Sequence, residues 1–361
     1  MNKQDYTLYI ILILLGIIIG IITTYYKKQI VSFIRMSNQT LKGFLHKIKR
    51  KNPSYSKIPT QVNNTQNINP IHNNWFIVSG SVIGKSHITH GTVCQDSHFT
   101  RVFESLNGWG ITIVCDGAGS ATNSHLGSKF MAEQAIPHYF STAIKEKQWH
   151  LRNDLPSEEE WREEAWEQLK NSLGALMYHA ENDLKVELAT LACTAIVVIY
   201  SPLGLLVTHI GDGRAAYCDE QGKWGALIKP HKGEEANMTY FITSRPWLIN
   251  KHYSLPDGNT IPESRIIKGK VTAFALLSDG MEKQSFQCSV FDKETEKWDD
   301  PNTPFDKFFN PLVNFINSQA KDLQSSFDVH DKWKKFLTEG NEKIKNEEDD
   351  KTMILAVLQT K

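Results

Sequence analysis

The chain has 361 residues, 40 Lys+Arg against 40 Asp+Glu, and five cysteines, a length that allows one large or two small folded units. The charge is unevenly spread: residues 1–74 hold ten basic residues and one acid (Asp5), about +9, and the remainder holds 30 basic and 39 acidic, about −9. The acidic body argues against a nucleic-acid partner, which leaves a basic footprint, and Cys94, Cys115, Cys193, Cys218 and Cys288, odd in number and without a CxxC pair, argue against a zinc knot or disulfide framework.

Taken in chain order, Tyr6 to Tyr26 is uncharged and dominated by Ile, Leu and Gly. At about 1.5 Å rise per residue this stretch spans a hydrocarbon core of roughly 30 Å, and the tyrosines near its two ends suit the interfaces. It is too long for a signal peptide, and no small-residue cleavage site follows. Residues 1–26 are therefore expected to be a single-pass transmembrane anchor. Lys27 to Lys51 carries eight Lys/Arg and no acid, which places this flank and the folded body on the cytoplasmic side. Its apolar positions also fit an amphipathic helix on anionic lipid. Asn52 to Asn74, rich in Asn with three prolines, reads as a flexible linker. Residues 27–74 thus form a basic juxtamembrane segment and linker, and the body spans 75–361.

Within the body, Trp75–Ile83, Trp109–Cys115, Cys193–Tyr200, Leu205–Ile210, Ala215–Cys218, Trp224–Ile228, Val271–Leu277 and Met353–Leu358 read as strands. His87 to Asp96 reads as a turn. Asn123–Ile144, Ser157–Leu188 (with Ser157 and Glu160 as a capping box) and Pro304–Gly340 read as helical. Strands in hairpins with helices in blocks predict an α+β layered sandwich, not a parallel βαβ fold.

Four acidic positions sit at the ends of apolar strand runs. Asp116 follows Ile111–Cys115, Asp212 follows Leu205–Ile210, Asp279 follows Phe274–Leu277, and Asp349 with Asp350 precedes Met353–Val357. Any one alone is an ordinary Asp-Gly turn; together they predict a crowded carboxylate site. Two unit charges 4 Å apart repel by about 4 kcal/mol at an effective dielectric near 20, so such a cluster takes up protons or cations. Oxygen-only ligands select hard ions such as Mg²⁺ or Mn²⁺, and a pair of them clamps a phosphate and activates water. No Ser-His-Asp or Cys-x5-Arg arrangement competes as nucleophile.

The ordered set resembles the metal-dependent protein serine/threonine phosphatases (the PPM, or type 2C, family), its bacterial branch in particular. The resemblance covers about Phe76 to Val357 and rests on six pieces in family order: Cys94-Gln95-Asp96, Val114 to Gly119, Cys193-Thr194-Ala195, Ile210 to Arg214, Leu277 to Met281, and Asp349 to Thr352. It implies a four-layer α/β/β/α sandwich of two antiparallel sheets flanked by helices, with two Mn²⁺ or Mg²⁺ ions at one end. It implies that Asp116 bridges both ions, that the Gly117 carbonyl ligates one, that Asp279 and Asp349 complete the first ion's shell, and that Asp96 holds a water of the second. Asp116, Asp279 and Asp349 are thereby the expected catalytic residues, and the implied reaction is hydrolysis of phosphoserine and phosphothreonine in proteins by a metal-activated water, opposing a Ser/Thr kinase. The sequence departs from the pattern at three points. Ala118 stands where many members carry a general-acid His. Gly91 stands where eukaryotic members carry a phosphate-binding Arg, leaving His87, His90 and Arg101 as candidate phosphate contacts. Asp212 is present for a third ion, but Lys283 replaces its partner acid. These gaps keep a second reading open, a phosphatase-fold module that binds phosphoproteins or a signalling partner without turnover. The Lys229–Lys268 stretch lies where the family often has a mobile flap.

Overall fold

A computed structural model describes residues 71–72, 75–232, 239–293, 296–320 and 326–359. The expected anchor, juxtamembrane segment and most of the linker lie outside the described residues. Among the described residues no helix is long and apolar enough to cross a membrane.

Two antiparallel sheets carry the fold. One has six strands in the spatial order β1 (Ile71–His72), β2 (Trp75–Val82), β17 (Lys351–Leu358), β12 (Val271–Leu277), β7 (Arg214–Asp219), β8 (Trp224–Ala226). The other has five, in the order β11 (Glu263–Lys268), β6 (Gly204–Ile210), β5 (Ala195–Ser201), β4 (Gly110–Cys115), β3 (Ser97–Val102). Three two-stranded ribbons complete the strands: β9 (Tyr253–Ser254) with β10 (Thr260–Ile261), β13 (Phe286–Gln287) with β16 (Thr303–Pro304), and β14 (Val290–Asp292) with β15 (Lys297–Asp299).

Side-chain alternation along each strand assigns its two faces. On β12, Phe274 and Leu276 pack against Val114, Ile196, Val198 and Val207 of the other sheet, forming the core between the sheets. Ala273, Ala275 and Leu277 point the other way and pack with Phe309, Ile316, Trp333 and Leu337 from the helices Asp306–Ala320 and Ser326–Glu339. Trp333 is 1% exposed and donates its indole N–H to the Met353 carbonyl at 3.2 Å. Trp333→Ala is expected to cost about 3–5 kcal/mol, the range for emptying a buried aromatic site, read from denaturant melts followed by circular dichroism.

The outer face of the five-stranded sheet is covered by the continuous helical stretch from Ser124 to Glu146, which contains a π turn at Met131–Ala135, and by Glu158–His179. The expected sandwich of two antiparallel sheets flanked by helices is therefore present. Ser157 caps the second helix by accepting from the Glu160 N–H at 3.1 Å. The Glu160 carboxylate does not close the expected box; it accepts from Trp149 and Arg152 instead. The 229–268 stretch, expected as the place of a flap, ends in Glu263–Lys268, which is β11, the edge strand paired with β6. The stretch read as a turn from His87 includes a short helix, Lys85–His90.

Candidate metal centre

Strand register brings the acids to one end of the sandwich. Ser97 pairs with Cys115, so Asp96, just before β3, and Asp116, just after β4, leave the sheet side by side. Leu277 pairs with both Met353 and Arg214, so Asp279, Asp349, Asp350 and Asp212 emerge together from the other sheet. Thr194 ties the turn after β4 to the start of β5: its hydroxyl receives the Asp116 N–H at 3.1 Å and its N–H donates to the Asp116 carbonyl at 2.8 Å.

Two glycines let these turns approach. A side chain at Gly117 would press on the backbone of Gln95, next to Asp96, and one at Gly280 would collide with the Asp350 carbonyl oxygen. Gly280→Ala is expected to destabilise by about 2–4 kcal/mol, since backbone must move, and to part Asp279 from Asp349. The check is a thermal melt together with divalent-ion affinity, both of which should fall.

The Asp116 carboxyl adjoins Asp96 and Asp279, and the charges of Asp212 and Asp349 also reach it. Burial, then the charges of Asp96, Asp279, Asp212 and Asp349, push the Asp116 carboxyl well above the ordinary range. Burial raises Asp96 to about 7, with Asp350 adding to it and the Ser278 and Thr352 hydroxyls opposing. Burial, then Asp212 and Asp349, raise Asp279 to about 7. Asp212 is raised as well, mainly by burial. Asp96 Oδ2 and Asp279 Oδ1 are buried without a hydrogen-bond partner. Orphaned oxygens on Asp96 and Asp279, whose carboxyls both interact with that of Asp116, fit hard divalent ions.

The remaining candidates separate. Asp349 is exposed and lies with His87 and Asp350 in a group whose ligand atoms fall within 4.8 Å of one another. Asp350, one residue on, is 2% exposed. It accepts from the Gly84 N–H at 2.7 Å, the Gln95 N–H at 2.5 Å and His87 Nδ1 at 2.8 Å. With its oxygens so occupied, Asp350 works as a clamp that pins the 84–95 segment, and hence Asp96, to the start of β17. The only sequence signal for it is the Asp-Asp pair. His90 is exposed and turned back to the Ser86 carbonyl at 2.7 Å. Arg101 is not brought to the acids: it pairs with Ile111 toward the far end of β3, and five residues of strand put roughly 16 Å between it and Asp96. Arg214 is fully buried and spent on Glu282, Asp300 and Asn302. Lys283 is exposed and lines a groove with Phe305 and Lys343.

A family model described as protein phosphatase 2C matches residues 83–337. Serine/threonine-protein phosphatase 3 of Escherichia coli (strain K12) is 26% identical over 288 residues, covering 78% of this chain and 98% of that protein. Among solved structures, the serine/threonine phosphatase Stp1 from Staphylococcus aureus matches at 13% identity and a TM-score of 0.44, covering 79% of this chain and 95% of that one. The catalytic domain of the serine threonine protein phosphatase PstP, solved with two manganese ions, matches at 13% identity and a TM-score of 0.42, covering 79% and 99%.

Proposed function

The chain belongs to the protein phosphatase 2C family, and from that premise we propose that it hydrolyses phosphoserine and phosphothreonine in proteins with the help of two Mn²⁺ or Mg²⁺ ions. The observation that carries this reading is the Asp116 carboxyl set between Asp96 and Asp279, each with one buried oxygen that no hydrogen-bond donor among the described residues satisfies. In this reading the carboxylates of Asp116, Asp279, Asp349 and Asp96 and the Gly117 carbonyl would hold the ions, with Asp116 at the centre of the set. Asp212 is the candidate for a third.

Bound divalent ions supply Lewis-acid activation of water and neutralise charge on the phosphoryl group. The chain's own part is to position and to exclude. Five carboxylates repel a dianionic phosphoester, so without cations the acids oppose substrate entry; their placement makes binding conditional on the ions. Cys115, next to Asp116, is no rival nucleophile, because burial pushes its thiol well above the ordinary value and the thiolate does not form. Asp350 holds Asp96 in register through Gln95, and Thr194 fixes the Asp116 backbone.

The same reading includes the anchor over residues 6–26, which rests on the apolar sequence and its basic flank; it predicts that the protein sediments with membranes and that detergent releases it. The enzymatic claim is tested with purified protein, a phosphothreonine peptide and p-nitrophenyl phosphate. Phosphate release that requires Mn²⁺ or Mg²⁺ and stops on chelation is the expected outcome. No release with any divalent ion would leave the reading of a phosphoprotein-binding module without turnover.

A further inference from the structure

Away from the clustered acids, His209, His231 and Glu263 form a second group of potential ligands, all three buried, with one atom from each lying within 4.8 Å of the others. His209 and Glu263 are direct cross-strand partners on β6 and β11, so their side chains leave the sheet on the same face. His231 enters from the segment after β8 and lies face to face on His209, with ring centroids 4.1 Å apart and planes 4° apart.

Two of the three have partners already. His231 Nε2 donates to the Thr260 carbonyl at 3.1 Å and its Nδ1 accepts the Gly211 N–H at 3.3 Å, so Nε2 carries the proton and an ion taking the single lone pair of Nδ1 would displace that long Gly211 contact. Glu263 accepts from the Lys229 N–H at 2.8 Å on Oε2 and pairs with Arg265 Nε at 2.6 Å on Oε1. His209 is fully buried, and neither ring nitrogen makes a hydrogen bond of good geometry, the Lys229 backbone being its nearest polar contact beside Glu263. Its Nδ1 stands 3.4 Å from Glu263 Oε2 without hydrogen-bond geometry. An imidazolium would answer that carboxylate, but burial pushes His209 down to about 3, so the ring is neutral. A neutral imidazole with both nitrogens orphaned in a core is an arrangement that asks for a ligand.

We propose that His209, His231 and Glu263 hold one divalent transition ion of the zinc type, separate from the hard ions assigned to the carboxylate cluster. The donor set is right for it, since two neutral imidazoles and a carboxylate suit zinc and its neighbours and are poor ligands for Mg²⁺. One spacing is already that of a tetrahedral site: ligands about 2.0–2.1 Å from zinc stand about 3.3 Å from one another, close to the 3.4 Å between His209 Nδ1 and Glu263 Oε2, while His231 lies within 4.8 Å of both. Glu263 Oε2 has a second lone pair beyond the one taken by Lys229. An ion lies in the plane of each imidazole that binds it, so the two parallel rings must tilt toward each other on binding; His209, held by no hydrogen bond, is the ring able to turn. The site ties the β6–β11 edge to the 229–231 segment, and through the His231 N–H bond to the Gly211 carbonyl at 2.8 Å it braces the turn that carries Asp212.

The test is elemental analysis of full-length protein purified without chelator, followed by cobalt titration of stripped protein read by visible absorption. About one zinc per chain is expected, retained in Asp116→Asn and reduced at least tenfold in His209→Phe, which keeps the volume of the ring, and in His231→Gln. Cobalt at the wild-type site should give intense tetrahedral bands. The proposal is overturned if the wild type holds neither ion, if the ion persists in both histidine variants, or if it is lost with Asp116→Asn instead. Should neither histidine variant fold, the wild-type cobalt spectrum decides alone, with weak octahedral bands of an all-oxygen site counting against the proposal.

Discussion

Asp116→Asn is expected to lower phosphate release by about 10³-fold or more, on the scale of losing a preorganised electrostatic partner, and at the same time to make the metal-free protein more stable. The two effects share one cause. Asp116 is the carboxyl on which the charges of Asp96, Asp279, Asp212 and Asp349 converge. Removing its charge takes away the carboxylate proposed to hold the ions and also the repulsion, worth about 4 kcal/mol for a pair 4 Å apart at an effective dielectric near 20 and less for a half-buried group. A rise of several degrees in the melting temperature without metal, together with lost turnover, is the signature. An inactive variant that is also less stable would mean that Asp116 is a structural residue.

The second large effect is that of pH on the ion-free protein. Asp96 and Asp279 both move from 3.8 to about 7 on folding. Because these folded-state values are raised, the folded form keeps protons that the unfolded form has released. Stability from these groups is therefore highest below about pH 4, falls as pH rises through the window between 3.8 and about 7, and the penalty is complete above it. For strongly interacting acids that share their protons the total is a few kcal/mol, or roughly 5–10 °C in melting temperature. In chelator the protein should melt lower at about pH 8 than at about pH 5.5, and saturating Mn²⁺ should reverse the order. Asp116→Asn should flatten the slope. Melting temperatures that do not respond to Mn²⁺ at about pH 8 would count against ion binding at these acids.

What the sequence showed best was whatever is buried on both faces. Val271–Leu277 and the end of β4 at Cys115 are continuous apolar runs, so both the strands and the acids that end them could be placed. The edge strands were harder to see. Ser97–Val102 and Glu263–Lys268 each have one neighbour strand and mixed polar composition, so neither β3 nor β11 carries an apolar run that marks it as a strand. The helices of 304–340 were visible through their aromatic content, whereas the two small ribbons between Phe286 and Pro304 carry no periodic signal. At the site, Asp-Gly after a strand located Asp116 and Asp279, but composition could not tell which of Asp349 and Asp350 turns inward. That depends on the Gly84 and Gln95 N–H groups arriving from more than 250 residues away in sequence. Arg101 looked like a phosphate contact because it is a cation near the first acid in sequence; a strand's length removes it from that acid in space. The His209–His231–Glu263 group was invisible for the same reason as Asp350, since its members come from three separated segments.

The carboxylates gathered around Asp116 are expected to hold the working cations. The most direct measurement is an anomalous difference map from crystals grown with Mn²⁺. The expected result is density for two ions against the Asp116 carboxylate, one of them also contacting Asp279 and Asp349. Manganese bound only elsewhere, or none at all in crystals of protein that still hydrolyses a phosphothreonine peptide, would contradict it.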